Sequence, residues 1–289
     1  MSIRFSIFTA LACAVATPAI AQNTVNATPP DTAAPEKQFS DTITVGAAIV
    51  SIPDYEGSDD SRITGAPGAI GSYKGFGFVL AGNRLSVDLI PDRGGEGIDF
   101  QAGPIAVVNF NRSSLNSIDD PRIRALGKVD TAIELGGYVG VGKTGVITSP
   151  YDRLSVSLSY RHDVAGAHDS GIWQPTVNYL TPLSRKAAVA LFASAEHADS
   201  GYADTYFTVT STQAVASGLP AYRARSGWKN YTLGALGTYA LTGDLLHGWK
   251  VVAGGTYGRL LNDFGDSPVV SIAGSRSQWL GALGLAYTF

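Results

Sequence analysis

Beyond residue 40 the chain alternates apolar and polar residues with a period of two, in segment after segment of about 10 to 14 residues. In "VDTAIELGGYVGV" the odd positions are Val129, Thr131, Ile133, Leu135, Gly137, Val139 and Val141, while the even ones include Asp130, Glu134 and Tyr138. "RLSVSLSYRHD" inverts the parity, setting Leu154, Val156, Leu158 and Tyr160 against Arg153, Ser155, Ser157, Ser159 and Arg161. The final "QWLGALGLAYTF" places Trp279, Leu283, Leu285, Tyr287 and Phe289 on one side. Each segment is a strand with one apolar face.

Two all-β architectures use many such strands: a soluble sandwich or barrel with an apolar core, and a membrane barrel with apolar residues turned to lipid. Strand length separates them, because soluble strands average five or six residues and a tilted membrane strand needs about ten. Composition agrees. The chain carries 34 Gly, 13 Tyr, 11 Phe and 4 Trp with only 16% charged residues, so the second face of each strand is lined by small residues where a soluble core needs bulk. Aromatics cluster near segment ends (Phe100 and Phe110, Tyr151 and Tyr160, Tyr231 and Tyr239, Trp249 and Tyr257), as interfacial girdles require. The expected fold is a transmembrane antiparallel up-and-down β-barrel spanning 41–289.

The start of the chain sets the compartment. Residues 1–21, "MSIRFSIFTALACAVATPAIA", combine one basic residue, an apolar stretch and a small-residue cleavage site, so a secretory signal peptide cut between Ala21 and Gln22 is expected. A lipidated Cys13 is disfavoured, since Leu11 stands one position off the lipoprotein pattern. With Cys13 removed, the mature chain has no disulfide, thiolate metal site or Cys nucleophile. A formal net charge of −3 gives no basic footprint for nucleic acid. Residues 22–40 are polar and Pro-rich and are expected to form a flexible periplasmic arm that could reach roughly 60 Å when extended.

Eleven candidate strands lie near 42–51, 62–73, 76–90, 98–110, 129–142, 153–162, 171–180, 187–197, 229–241, 248–260 and 277–289. A barrel with both ends in the periplasm needs an even number. The 76–90 region changes parity between Phe76, Phe78, Leu80 and Leu85, Val87, Leu89, and a bulge or tight turn at Gly82–Asn83 would supply the break. Twelve strands are therefore expected, within a range of ten to fourteen. Counting back from a descending last strand sets 198–228 and 261–277 outside, the first as a change-tolerant loop, and leaves short turns in the periplasm. Leu285, Tyr287 and Phe289 are the expected barrel-assembly signal.

Three stretches carry a family resemblance: "VGAAIVSIPDYEGSDDSRITGAPGAIGSY", "ADTYFTVTSTQAVASGLPAYRARSGWKNYTLGALGTYALTGDLLHGWKVVAGGTYGRLLNDFGDSPVV" and "GSRSQWLGALGLAYTF". The chain from about residue 41 to its end resembles the MipA/OmpV family of outer-membrane proteins. The resemblance implies a Gram-negative outer-membrane barrel without known catalysis. It also implies contact with outer-membrane lipid, lipopolysaccharide and the barrel-assembly machinery. One member is described as a scaffold linking a lytic murein transglycosylase to a penicillin-binding protein, so a cell-envelope scaffold acting on peptidoglycan enzymes is the expected function. A narrow diffusion pore for small solutes or antibiotics and a surface adhesin are the alternatives.

Candidate lumen charges are Asp99, Asp130, Glu134, Arg153, Arg161 and Glu196; their mixed sign favours a cross-braced interior over an open one, although a selective pore lining can look similar. The acidic "DYEGSDD" (Asp54, Glu56, Asp59, Asp60) lacks the spacing of a calcium loop and reads as a solvated turn. His162, His168, His197 and His247 form no local signature of a Ser-His hydrolase, so no enzyme, cofactor or metal is expected.

Overall fold

The computed structural model describes residues 41–91 and 97–289. The expected signal peptide, its cleavage point at Ala21–Gln22 and the arm 22–40 lie outside the described residues. Twelve strands follow one another: β1 (Thr42–Pro53), β2 (Ser61–Tyr73), β3 (Phe76–Ala81), β4 (Arg84–Val87), β5 (Ile98–Asn109), β6 (Ala132–Thr144), β7 (Arg153–Asp163), β8 (Gly171–Pro182), β9 (Ala187–Ala198), β10 (Gly227–Ala240), β11 (Gly248–Leu260) and β12 (Ser277–Thr288). Each pairs antiparallel with its sequence neighbours, and β12 returns to β1 from Ser51↔Gly281 to Thr44↔Thr288, which closes the barrel.

The parity change after residue 76 is a hairpin. Gly82, at φ 58°, opens the two-residue turn between β3 and β4, where a positive φ at the first central position matches the twist of the flanking strands. This split turns eleven sequence segments into twelve strands. Pro175 and Pro104 interrupt their ladders as expected: β8–β9 pairing skips from Trp173 to Thr176, and the β4–β5 ladder stops at Ile105.

The alternation points outward as a belt. Ile43, Val45 and Ile49 on β1, Ile133, Leu135, Val139 and Val141 on β6, and Leu283 and Leu285 on β12 are all exposed. Trp173, Trp228 and Trp279 ring one end, and Tyr73, Phe76, Phe100, Tyr239, Trp249 and Phe289 ring the other. Among the described residues no helix is long and apolar enough to cross a membrane. The strands do the crossing, because closure leaves no open edge in a phase without water. The protein is a transmembrane β-barrel.

Turns at 74–75, 145–152, 183–186 and 241–247 share one end with Thr42 and Thr288, and the three longest connections, 110–131, 199–226 and 261–276, share the other, the pattern of periplasmic turns and external loops. The 145–152 turn is organised by Asp152, whose carboxylate accepts from the backbone N–H groups of Val146, Ile147, Thr148 and Ser149 and from the Tyr179 hydroxyl. Burial pushes this carboxyl up, but the converging donors outweigh it and hold Asp152 well below the usual carboxylate range. A depressed folded-state value gives stability that is complete above the unfolded value, about 3.9, and lost as pH falls through the folded one. Asp152→Asn is therefore expected to destabilise the barrel at pH 7. The gap from wild type should narrow in acid below about pH 4, as read by denaturant unfolding in micelles. A gap that widens in acid would refute it.

The external connections are folded, including 198–228, expected as an open, change-tolerant loop. They carry α1 (Pro121–Ala125), α2 (Ser200–Phe207), α3 (Ser211–Ser217), α4 (Asn262–Asp266) and α5 (Pro268–Ser271). Tyr202, Ala203, Tyr206 and Phe207 of α2 bury against Phe264, Val270, Leu260 and Ile172. A second cluster joins Tyr55, Ile118, Ile123, Leu126, Val209, Leu219 and Val269. The Ser267 hydroxyl donates to Phe207 O at 2.6 Å and Arg112 Nη1 to Tyr206 O at 3.1 Å, satisfying backbone that the lid buries. Period-two reasoning missed this second core because its apolar residues stand on short helices outside any strand.

Candidate functional site: the braced interior beneath the lid

Inward positions on successive strands, near the loop end, build a chain of alternating charge. Asn109 on β5 donates to Glu134 Oε1 on β6 at 3.1 Å. Arg161 on β7 donates from Nε to Glu134 Oε2 at 2.5 Å, from Nη1 to Gln174 Oε1 on β8 at 3.1 Å and from Nη2 to Glu196 Oε1 on β9 at 2.6 Å. Lys229 on β10 then bridges Glu196 Oε2 and Glu56 Oε1, each at 2.7 Å. Period two explains the placement, since one inward residue per strand falls at the same level.

Lys229 enters this chain through an irregularity. The β9–β10 register shifts between Trp228 and Asn230, so the extra residue of the bulge turns its ammonium inward beside Glu196. The lid seals it from above: the Tyr202 hydroxyl donates to Glu56 Oε2 at 2.6 Å, and Lys229 Nζ lies 4.5 Å from the centre of the Tyr202 ring. From the far wall, Arg84 on β4 donates to Gln174 Oε1 at 2.6 Å, crossing the interior. The arrangement holds opposite walls and lid together as one polar network, with every carboxylate matched to a cation.

Of the residues expected in the lumen, Glu134, Arg161 and Glu196 stand in this network. Asp99 and Arg153 form a separate inward pair nearer the short-turn end. Asp130 differs: it precedes β6, its side chain is 86% exposed, and it pairs with Lys128 at 3.4 Å, so it lines no interior surface. Glu56, Lys229, Arg84 and His168 also face this interior, although the sequence reading placed none of them in the lumen. Glu56 was read as part of a solvated turn, yet it faces inward, and among the described residues no cluster is placed to hold a metal ion.

His168 brings Ser170 and Glu134 together, with Nδ1 2.9 Å from Ser170 Oγ and Nε2 3.3 Å from Glu134 Oε1. These are the residue types of a hydrolase triad. The His168 side chain is 0% exposed and packs on Tyr202 and Tyr206, and the carboxylate is already engaged by Arg161 and Asn109. Ser170 is itself buried, and the trio ties the β7–β8 connection to the network.

A cavity of about 210 Å³ lies against this network and is lined by Glu56, Asn83, Arg84, Glu196, Lys229 and Asn230 among others. Compared with known proteins, residues 45–289 match the family model described as MltA-interacting protein MipA. No curated protein matches the chain. Similar solved structures include the toluene transporter TodX of Pseudomonas putida, at 8% identity over 86% of this chain and 89% of that one, with a TM-score of 0.36. They also include the outer-membrane channel DcaP of Acinetobacter baumannii, at 10% identity over 86% and 96%, TM-score 0.37. The outer-membrane protein OprD of Pseudomonas aeruginosa is similar at 10% identity over 86% and 92%, TM-score 0.32. Nothing about a transported solute follows at these scores.

Proposed function

The chain belongs to the MipA family, and from that premise we propose that it is a non-catalytic outer-membrane scaffold that holds a murein transglycosylase, and with it a penicillin-binding protein, on its periplasmic side. The observation that carries this reading is the interior: walls and lid are tied through Arg161, Glu196, Lys229 and Glu56, and the external mouth is filled by packed helices. A barrel braced in this way suits a rigid anchor better than an open conduit, which supports the scaffold reading. The family description names an interaction with such an enzyme, which supports the choice of partner. The short turns 145–152, 183–186 and 241–247 and the expected arm 22–40 are the proposed contacts.

Two measurements test this together. In planar bilayers the refolded barrel is expected to show no steady conductance, and deleting 200–224 is expected to produce one by removing α2 and α3. Periplasmic extracts passed over the immobilised barrel should yield a murein transglycosylase. A variant with its signal fused directly to Asp41 decides whether the arm contributes. A stable open channel in the intact protein, with no murein enzyme captured, would replace the scaffold by the pore.

A further inference from the structure

The wall of the barrel is incomplete at one place. β3 and β4 have six and four residues where the other strands have eleven to fourteen, so their hairpin reaches only part of the way up β2. Pairing with β3 ends at Gly68↔Ala81, and one further bond runs from Gly82 N to Pro67 O at 2.9 Å. Pro67 has no N–H to offer at the place where the ladder stops. By alternation, the backbone groups of Gly65 and Ile63 face the same side, and among the described residues no backbone partner meets them there. Arg62 Nη1 donates to Ser117 O at 3.1 Å and frames the gap from above, while the Gly82–Asn83 turn frames it from below.

The gap faces lipid. A rise of about 3.3 Å per residue and a tilt of about 40° place Pro67 roughly 15 Å and Ile63 roughly 25 Å above Tyr73 of the lower girdle. Ile63 is 77% exposed, and a Cβ added at Gly65 or Gly82 would meet nothing. Behind the gap the chemistry changes. Asn83 is only 7% exposed and lines the cavity; its Nδ2 donates to Val108 O at 2.5 Å, and its Oδ1 has no partner. Asn230 Oδ1, in the same lining, is also without one. Arg84 pairs with no carboxylate among the described residues, and its hydrogen bond goes to the neutral Gln174.

We propose that this gap beside β2, above the β3–β4 turn, is a side window through which an anionic amphiphile from the surrounding leaflet docks, its acyl chain against Ile63, Gly65 and Pro67 and its head in the cavity. The head carries a phosphate that takes the remaining N–H donors of Arg84 and a hydroxyl that donates to Asn83 Oδ1. Free backbone groups facing hydrocarbon are costly, and a polar headgroup or the water it brings relieves that cost. The inference goes beyond the scaffold reading and does not depend on it.

The barrel, refolded in micelles containing phosphatidylglycerol or phosphatidylcholine, is examined by native mass spectrometry, with heat-modifiable migration confirming that each variant is folded. Wild type should retain one phosphatidylglycerol and no phosphatidylcholine. Arg84→Gln should lower that occupancy at least tenfold, a difference of about 1.4 kcal/mol, and Arg84→Lys should keep most of it. Ala66→Trp, which fills the inward position beside Asn83, should also empty the site. Lys143→Gln, an exposed outward cation, should leave it unchanged. Equal retention of both lipids, or undiminished phosphatidylglycerol in Arg84→Gln, overturns the site. Loss in Arg84→Gln with full retention in Ala66→Trp overturns the window.

Discussion

Replacing Lys229 by alanine is expected to lower the unfolding free energy of the barrel by about 3–5 kcal/mol, the cost of breaking a buried ion pair from one side. The ammonium lies between two carboxylates at 2.7 Å each, under the Tyr202 ring and away from solvent. Its loss leaves Glu56 without a cation, whereas Glu196 keeps Arg161. The deficit therefore falls mainly on the lid side. Lys229→Ala combined with Glu56→Gln should recover a large share of the loss, because the neutral amide no longer needs a counter-charge. Urea unfolding from lipid vesicles measures both. A single variant within about 1 kcal/mol of wild type would show the pair to be as weak as a surface salt bridge.

The same residues mark what the sequence could and could not tell. Period-two alternation is a one-dimensional property, so it locates the outward belt of Ile133, Leu135, Val139 and Val141 and the inward Glu134, Arg153 and Arg161 without knowledge of neighbours. The β3–β4 hairpin was legible as a phase change at Gly82–Asn83. Lys229 was not, because a bulge adds a residue and breaks the parity on which the reading depends. Glu56 was hidden by composition: in "DYEGSDD" it looks like any turn carboxylate, and only the fold brings Lys229 and Tyr202 to it. The lid was illegible for a different reason. Tyr202, Tyr206 and Phe207 pack against residues far away in the chain, and short helices of four to eight residues leave little periodicity to detect.

Assembly should depend on the closing strand more than on any exposed part of the lid. Tyr287→Ser with Phe289→Ser is expected to reduce the folded, surface-located barrel at least tenfold, whereas Val215→Ser, at a position 89% exposed on α3, should leave it near wild type. The pairing of β12 with β1 converts an open sheet with two raw edges into a closed wall. The aromatic end of that strand sits in the lower girdle: Tyr287 lies edge-on to Trp249 at 5.2 Å and to Phe289 at 4.8 Å, and Phe289 N donates to Ile43 O at 3.0 Å. Serine at both positions keeps the backbone ladder but removes the rings that fix the depth of the seam at the interface. On α2, by contrast, Tyr202 and Phe207 belong to the buried lid, and their loss would unfold it. Heat-modifiable migration and surface protease accessibility report the folded fraction. Equal levels of the two variants would mean that the seam closes on backbone pairing alone.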